Sequence, residues 1–347
     1  MRTHELNSTT GGSRSRQKSQ SVTLDVVARL AGVAPATVSR AINQPEKVAK
    51  KTLDRVNQAI ASTGYVPNLL AGGLASNRSH LVAAIVPSII NLVYVETIQA
   101  FSNKLRDSGY QVLLGESGYG QETEETLVAT VLSRRPDAIF LTGIQHSLNC
   151  RRQLLAAGIP VVETWDLTPS PLDLVVGFSH DRVGETVAEF LFQRGFERFG
   201  IVSADDPRAM VRNKAYVNAL KGRGVNDVPV GIVEAVSSLQ RGRQGLANLL
   251  DQGFGPGAVF CSSDTLAQGV VTEAQSRGLR VPEDIAVIGF GDQNFAAHMF
   301  PALTTVKIDR AAIGQKSAQA LLARLNDEPV AESVIDVGFD IVARETA

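Results

Sequence analysis

A short polar run near the N terminus has the residue types and spacing needed to grip nucleic acid. Thr37, Ser39 and Asn43 carry hydroxyl or amide groups that can hold phosphate oxygens, and Arg40 can pair with a phosphate or with a base edge. Val38 and Ile42, four residues apart, would share the inward face of a helix. Ala36 would then face outward together with Ser39, Arg40 and Asn43. The predicted chemistry is DNA binding by one exposed helix face.

Two short helical patterns would position these side chains. The first covers 24–31 and places four apolar residues on one face: Leu24, Val27, Ala28 and Ala31. Gly32 permits a sharp turn, and Pro35 suits the first position of the second helix because its missing N–H would be unpaired there anyway. A compact helix pair joined by a turn with glycine has the form of a helix-turn-helix. The alternative is an ordinary helical hairpin with a solvated Arg40.

The charge of the chain is divided unevenly. The net charge is −1, yet residues 1–79 carry 11 Lys and Arg against 4 Asp and Glu, which makes that segment +7 and the remainder −8. This asymmetry predicts a polyanionic partner for the N-terminal part alone. A soluble protein with a basic tail is the plainer interpretation.

Cysteine and histidine usage predicts no cofactor and no metal site. Cys150 and Cys261 lie far apart without a C-x-x-C, and the five histidines are scattered, which also excludes a disulfide framework. The first twenty residues are polar, lack an apolar segment and resemble a disordered tail rather than a signal peptide. No apolar run is long enough to span a bilayer. These features favour a cytoplasmic protein that does not engage a membrane.

After residue 79 the pattern becomes a repeated strand-then-helix alternation, which predicts doubly wound α/β architecture. Nine apolar runs read as buried parallel strands: 81–87, 110–115, 138–142, 159–162, 174–178, 199–203, 231–235, 258–261 and 285–290. The better helical stretches are 95–108, 122–135, 182–194 and 266–277. Nine strands are more than one sheet of typical size holds, so we expect two similar lobes with a break near 177–181. Ligands in such folds lie beyond the carboxyl ends of the strands, here between the lobes.

The motifs of residues 22–74 resemble the DNA-binding headpiece of the lac-repressor (LacI/GalR) family. They are Ala31-Gly32-Val33, Thr37-Val38-Ser39-Arg40, Asn43 and Gly64-Tyr65-Val66-Pro67-Asn68. The resemblance implies base contacts from Pro35, Ala36 and Arg40, and a hinge helix whose Leu74 wedges into the minor groove. The DNA-binding set it implies is Thr23, Pro35, Ala36, Thr37, Ser39, Arg40, Asn43, Tyr65, Asn68, Ala71 and Leu74.

The headpiece departs from the family pattern in two places. Ala34 stands where the family usually has a Ser that would cap the recognition helix, so a cap worth about 1 kcal/mol is missing. Gly72 and Gly73 lower the helix propensity of the hinge by about 0.8–1 kcal/mol each relative to Ala. We expect a hinge that orders only on DNA.

The resemblance extends over the rest of the chain, to the family's two-lobed core of periplasmic-binding-protein type, with the strongest likeness to gluconate-operon repressors. Its segments include 258–264, 278–290 and 301–306, together with Pro87-Ser88, Gly118-Tyr119-Gly120 and Val176-Gly177-Phe178. By position, the effector contacts would be Ser88, Asn91, Tyr94 and Glu116 on the first lobe and Arg208, Arg212, Ser263, Asp264 and Asp292 on the second. Trp165 would stack on a ligand or pack in the core.

The expected ligand is a sugar acid. Sugar-binding members usually follow G-[YF] with Asp, whereas Gly291 follows Gly289-Phe290 here. Loss of that carboxylate beside a retained Arg208 favours an acidic ligand such as gluconate, since Arg can hold a carboxylate bidentately. The competing interpretation makes Gly291 a turn residue and Arg208 a surface cation.

The sequence thus predicts a transcriptional repressor that binds a palindromic double-stranded operator as a homodimer, with the tetramer left open. The domains would be a tail (1–20), a helix-turn-helix domain (21–66), a hinge (67–79) and a core (80–347). Lobe one would hold 80–178 and 308–332, and lobe two 179–307 and 333–347. Residues 95–106 would contribute to the dimer interface. No motif calls for catalysis.

Rival interpretations remain at this stage. Within the same family, the chain could instead respond to a sugar or a purine that acts as a corepressor and tightens DNA binding. A solute-binding receptor without DNA binding is opposed by the +7 segment, and an α/β enzyme such as a sugar kinase by the lack of a phosphate loop.

Overall fold

The computed structural model describes residues 22–66 and 78–347, which belong to two compact units, Met1–Arg78 and Ser79–Ala347. The hinge glycines, Asn68, Ala71 and Leu74 lie outside the described residues. The predictions made for them therefore remain predictions.

The N-terminal unit holds three helices: α1 (Leu24–Ala31), α2 (Pro35–Asn43) and α3 (Lys50–Thr63). Gly32 ends α1 with a φ of 62°, a left-handed conformation that favours glycine, and this confirms the predicted turn. Val27, Ala28 and Ala31 of α1 pack against Val38 of α2, together with Ala41, Val56 and Ala59. The predicted apolar faces therefore meet in one small core.

Residues 78–347 alternate strands and helices, as the apolar pattern predicts. The strands are β1 (Leu81–Val86), β2 (Gln111–Glu116), β3 (Ala138–Thr142), β4 (Val161–Thr164), β5 (Leu174–Gly177), β6 (Phe199–Ala204), β7 (Val230–Val233), β8 (Gly257–Cys261), β9 (Ile285–Phe290), β10 (Thr304–Lys307), β11 (Val334–Asp336) and β12 (Asp340–Val342). The helices are α4 (Val95–Arg106), α5 (Gln121–Leu132), α6 (Leu148–Ala157), α7 (His180–Gln193), α8 (Pro207–Lys221), α9 (Leu239–Asp251), α10 (Asp264–Ser276) and α11 (Arg310–Leu325).

These strands form two six-stranded sheets within residues 78–347, in the orders β11-β5-β4-β3-β1-β2 and β12-β10-β9-β8-β6-β7. The first sheet is parallel throughout, and only β12 runs antiparallel in the second. The strand order reverses beside β1 in one sheet and beside β6 in the other. In doubly wound sheets this is where a crevice opens at the carboxyl ends of the strands.

One predicted lobe boundary is wrong. Residues 333–336 were expected in lobe two, but β11 pairs with β5, placing Val334 opposite Val175 in the first sheet. The chain therefore crosses back to lobe two only between β11 and β12. The error has a simple cause: three-residue strands carry too little periodicity to reveal their partner.

The two lobes share an apolar core. It joins Phe140 and Val176 of the first sheet to Ile201 and Ile288 of the second. Phe178 bridges them, with its ring centroid 6.0 Å from that of Phe290. Trp165 is buried in the same cluster, which supports the core-packing interpretation for this residue.

Helices α7 and α8 pack closely because of one glycine. A Cβ atom on Gly184 of α7 would lie 2.2 Å from the carbonyl oxygen of Arg212 and 2.8 Å from the amide nitrogen of Tyr216, both on α8. Contacts this short leave no room for a side chain. These two helices can therefore pack this closely only because residue 184 has no side chain.

None of the helices in the described part of the chain combines the length and the apolar character needed to cross a bilayer.

Candidate functional sites

The first candidate site is the outward face of α2. Pro35, Ala36 and Arg40 are exposed, whereas Thr37 and Ser39 are half-buried. Exposed Asn43 donates its side-chain amide to the Ser39 carbonyl oxygen at 2.9 Å, which holds it on the same face. Thr23 is exposed just before α1. The helix thus presents the predicted polar set together, with Arg40 free of a stabilising ion pair on the described surface.

Two further features of this unit bear on the predictions. Ala34 has an extended conformation at the N-cap of α2 and contributes no side-chain hydrogen bond there, which confirms the missing cap. Tyr65 packs against the headpiece core. It therefore has a structural role besides any contact with DNA.

The second candidate site begins at the N terminus of α8, directly after β6. Asp206 caps this helix by accepting the amide hydrogens of Arg208 at 3.0 Å and Ala209 at 3.2 Å, and Pro207 fills its first position. Arg208 and Arg212 lie one turn apart and so share a face. The cap therefore fixes the helix backbone from which both arginine side chains extend.

Arg208 connects the two lobes. Its Nη2 donates to the hydroxyl of Tyr94 at 2.7 Å, and its guanidinium lies 5.7 Å from the centre of that ring. Its Nε is 3.9 Å from the Asp206 carboxylate, too far for a direct hydrogen bond. Burial raises the pKa of Tyr94 well above its usual range, so this hydroxyl stays protonated. Most of the donors of Arg208 remain available to a ligand.

Arg212 is almost fully buried, with 3% of its surface exposed. Its Nη1 donates to Nδ1 of His180 at 2.9 Å, its Nη2 donates to the Ser262 carbonyl oxygen at 3.1 Å, and the guanidinium rests 3.9 Å above the Phe290 ring. It forms no ion pair with the described residues, and its Nε lacks a hydrogen-bond partner among them. Burial lowers the pKa of Arg212 to about 10, which still leaves it charged at neutral pH.

His180 holds Arg212 in place. Burial, together with the charge of Arg212, keeps the pKa of His180 well below its usual range, so the imidazole is neutral. Its Nδ1 accepts from Arg212, and its Nε2–H therefore donates to the Trp165 carbonyl oxygen at 2.8 Å. One tautomer satisfies both contacts.

A pocket lies between the lobes beside Arg208. Its lining comes from the carboxyl ends of β1, β2, β3 and β4 and from the starts of α5 and α8: Pro87, Ser117, Gly118, Tyr119, Gly120, Gln121, Glu124, Thr142, Gly143, Ile144, Gln145, Asp166, Pro207 and Arg208. This is where the reversal of strand order predicts a ligand. Burial raises the pKa of Asp166 to about 6, while Arg208 and Arg212 oppose the shift. The wall thus offers a guanidinium donor from Arg208 and a carboxylate acceptor from Asp166.

The predicted residues of the first lobe lie outside the lining of this pocket, and two of them, Asn91 and Tyr94, hydrogen-bond residues that line it. Asn91 donates to the hydroxyl of pocket residue Tyr119 at 3.4 Å, and Glu116 accepts the Ile89 amide hydrogen at 3.1 Å. The buried Ser88 hydroxyl has no hydrogen-bond partner among the described residues. Asn91 and Tyr94 thus support the pocket wall through these bonds.

Three predicted residues of the second lobe are engaged within the protein instead. Ser263 caps α10, and fully buried Asp264 accepts from the Gln293 amide at 2.6 Å and the Thr305 hydroxyl at 2.5 Å. Asp292 pairs with Arg344 at 2.7 Å. They are absent from the pocket lining in the described structure, as are the other predicted effector residues apart from Arg208. Their visible role is to fix the strand ends of the second sheet.

The structure also adds residues that the sequence-based set omits: Tyr119, Thr142, Gly143 and Asp166. Each follows or ends a strand of the first sheet, so the rule that ligands lie at strand carboxyl ends could have found them. Gly291 has a φ of 122°, and a Cβ there would lie 3.2 Å from Val93. The absence of an acid at 291 therefore has a conformational reason.

Comparison with known proteins identifies the family of this chain. Residues 23–68 match the model of bacterial regulatory proteins of the lacI family, and residues 188–347 match a periplasmic binding protein-like domain. The HTH-type transcriptional regulator GntR of Pseudomonas aeruginosa is 39% identical over 93% of this chain and 95% of its own length. The chain belongs to the LacI family of transcriptional regulators.

Solved structures agree with this assignment. A LacI-family regulator from Silicibacter pomeroyi matches with a TM-score of 0.87 and 33% identity over 94% of this chain and 99% of its own. The lac repressor dimer bound to operator and the anti-inducer ONPF matches with a TM-score of 0.77 and 25% identity over 94% and 99%. This LacI-family member is thus a DNA-binding transcriptional regulator and not an enzyme.

Proposed function

We propose that this regulator is a repressor released from its operator by a small sugar acid such as gluconate, bound between the two lobes. The observation that carries the proposal is Arg208, which lines the pocket, is mostly buried and comes no closer than 3.9 Å to the Asp206 carboxylate. A mostly buried charge without a close carboxylate partner is unfavourable, so a ligand carboxylate would stabilise it.

The rest of the pocket fits a polyhydroxylated acid. Arg208 has donors to spare, while Asp166 and Thr142 supply acceptors for hydroxyl groups. A neutral sugar would satisfy the acceptors but leave Arg208 without a close carboxylate partner. The likeness to regulators of the GntR type supports the same ligand class.

DNA binding is assigned to the exposed face of α2, with Arg40 reading a base edge and Thr37, Ser39 and Asn43 holding phosphates. A homodimer would place two such helices on a palindromic operator. Because the ligand contacts both lobes, it favours one arrangement of them, and release requires that this arrangement bind DNA less well.

Calorimetry on the full chain tests the ligand. Gluconate should bind, and Arg208→Ala should weaken it at least about thirtyfold, because the ligand carboxylate would lose a buried charged partner. Lys214→Ala is the matched control, since Lys214 lies on the same helix but is exposed. Stronger binding of glucose or a purine than of gluconate would contradict the proposal.

A gel shift with genomic fragments recovered on the protein tests the direction of control. Gluconate should release the DNA from the wild type and from Lys214→Ala, but not from Arg208→Ala. If gluconate instead tightened DNA binding, the protein would be using a corepressor, and the proposed logic would be wrong.

A further inference from the structure

A buried cluster of mixed donor groups lies in the first lobe, beside the pocket. Glu124 comes from α5, His146 from the loop after β3, Cys150 from α6 and Glu163 from β4. Their exposed fractions are 9%, 8%, 0% and 0%. The sequence predicts no metal site because the residues are scattered along the chain. Folding brings them together.

Three of these residues meet the geometric demands of an ion site. One ligand atom each from Glu124, His146 and Cys150 lie within 4.8 Å of one another. Nδ1 of His146 is 2.9 Å from Oε2 of Glu124. Zinc–ligand bonds are about 2.0–2.3 Å long, so small side-chain rotations would bring all three atoms onto one ion.

Glu163 occupies the place of an orienting residue. Its Oε1 lies 3.4 Å from Nε2 of His146, and its Oε2 is fixed by the Leu172 amide at 2.7 Å. At present neither Nε2 nor Oε1 has a well-formed hydrogen bond to a described residue. A histidine that binds metal through one nitrogen usually donates its other N–H to a carboxylate, and Glu163 is positioned to accept it.

The two negative charges in the cluster also favour a bound cation. Two buried carboxylates face one imidazole, and the nearest guanidinium, that of Arg151, is 4.0 Å from Glu163 and 35% exposed. Buried carboxylates are stable when they are paired or coordinate a metal. A divalent ion would lie between Glu124 and the Cys150 thiolate, with imidazole as the third ligand.

We propose that Glu124, His146 and Cys150 bind a borderline transition-metal ion, of which Zn²⁺ is the representative. Mixed sulfur, nitrogen and oxygen donors suit Zn²⁺ rather than Mg²⁺ or Ca²⁺, which prefer oxygen alone. Glu124 also lines the pocket between the lobes, so the ion would sit in its wall with a fourth position for water. This proposal does not depend on the nature of the effector.

The experiment uses the full chain, freed of any affinity tag and stripped with a chelator. Zn²⁺ added alone should bind with one ion per chain, measured by elemental analysis after dialysis. Co²⁺ added alone should produce a thiolate-to-metal charge-transfer absorption, because Cys150 supplies a sulfur ligand. The spectrum reports on the wild type, so it does not require any variant to fold.

Variants locate the ion. Cys150→Ser should abolish the charge-transfer absorption, while Cys261→Ser is the matched control, since Cys261 is equally buried but lies in the second sheet. Glu163→Gln should keep the absorption yet weaken Zn²⁺ binding about 10- to 100-fold, as expected for an orienting residue.

Two results would overturn the proposal. One is a wild-type chain that retains no more Zn²⁺ than Cys150→Ser and shows no charge-transfer absorption with Co²⁺. The cluster would then be a closed ion-paired network of His146 with its two glutamates. The other is an absorption that survives Cys150→Ser but is lost in Cys261→Ser.

Discussion

The buried guanidinium of Arg212 lies one helical turn from Arg208, the arginine that lines the pocket. Its flat face rests on Phe290, and two of its nitrogens are bound by His180 and by the Ser262 carbonyl. Its position is therefore set before any ligand arrives, and such preorganisation lowers the entropic penalty of binding. Asp166 lies in the pocket lining, where burial raises the pKa of its carboxyl to about 6.

The free energy of unfolding should depend on pH because Asp166 is largely buried. Its pKa is raised from 3.8 to about 6, so between these values the native state holds a proton that the unfolded state has lost. The contribution of Asp166 to the free energy of unfolding therefore falls as pH rises through this window. Asp166→Asn should melt at a higher temperature than the wild type at pH 7, and the gap should close towards pH 4.

Thermal unfolding at several pH values checks this expectation. Exposed Asp205→Asn is the control and should follow the wild-type profile. Parallel profiles for Asp166→Asn and the wild type would show that the carboxyl does not titrate in the stated window. Asn can retain the Leu167 hydrogen bond through its own side-chain oxygen.

Among the secondary-structure elements, the α7–α8 pair does most to place the site. Gly184 lets the backbone of α7 approach α8 at Arg212, and the capped start of α8 points Arg208 toward Tyr94. The same pair carries His180, which starts α7 and accepts a hydrogen bond from Arg212. A shift of α8 would therefore move both arginines at once.

Gly184→Ala should separate the two helices. The added Cβ would collide with backbone atoms that cannot rotate away, so we expect destabilisation of about 1–3 kcal/mol and weaker gluconate binding. Urea unfolding followed by the fluorescence of Trp165, the single tryptophan, measures the first effect.

Gly222→Ala is the control for this change. Gly222 lies at the end of α8, where the nearest atom to an added Cβ is 3.4 Å away, an ordinary contact. Unchanged ligand affinity in Gly184→Ala would mean that the spacing of α7 and α8 does not set the position of the arginines.

At the scale of the whole molecule, the N-terminal segment and the rest of the chain carry opposite net charges. The segment 1–79 is +7 and the rest is −8, so DNA attracts the headpiece unit and is repelled elsewhere. DNA affinity should fall steeply with salt, because each neutralised phosphate releases counterions.

Arg40→Ala should lower the affinity for a recovered genomic site by about 1–3 kcal/mol while leaving gluconate binding unchanged. A gel shift against competitor DNA measures the loss of sequence preference. Arg280→Ala is the control, since Arg280 is exposed in the second lobe and pairs with Asp284. An equal loss in both variants would show that Arg40 contributes only charge.

Much of the fold could be predicted because its signals are local. The 3.6-residue period of α1 and α2, the turn at Gly32 and the short apolar runs of β3 and β9 each depend on neighbouring residues. The boundary at β11 could not be predicted. Its three residues join a sheet whose other strands lie far earlier in the chain.

The sequence by itself determined the family, the helix-turn-helix and the two-lobed α/β architecture, because turn residues, periodicity and motif spacing act over a few residues. Only the tertiary structure decided which side chains meet. In the folded protein Arg212 hydrogen-bonds His180, and Asp264 accepts a hydrogen bond from Thr305. Ligand atoms of Glu124, His146 and Cys150 lie close to one another. The reason is that such contacts arise from the packing of distant elements, and no local pattern in the chain encodes their distances.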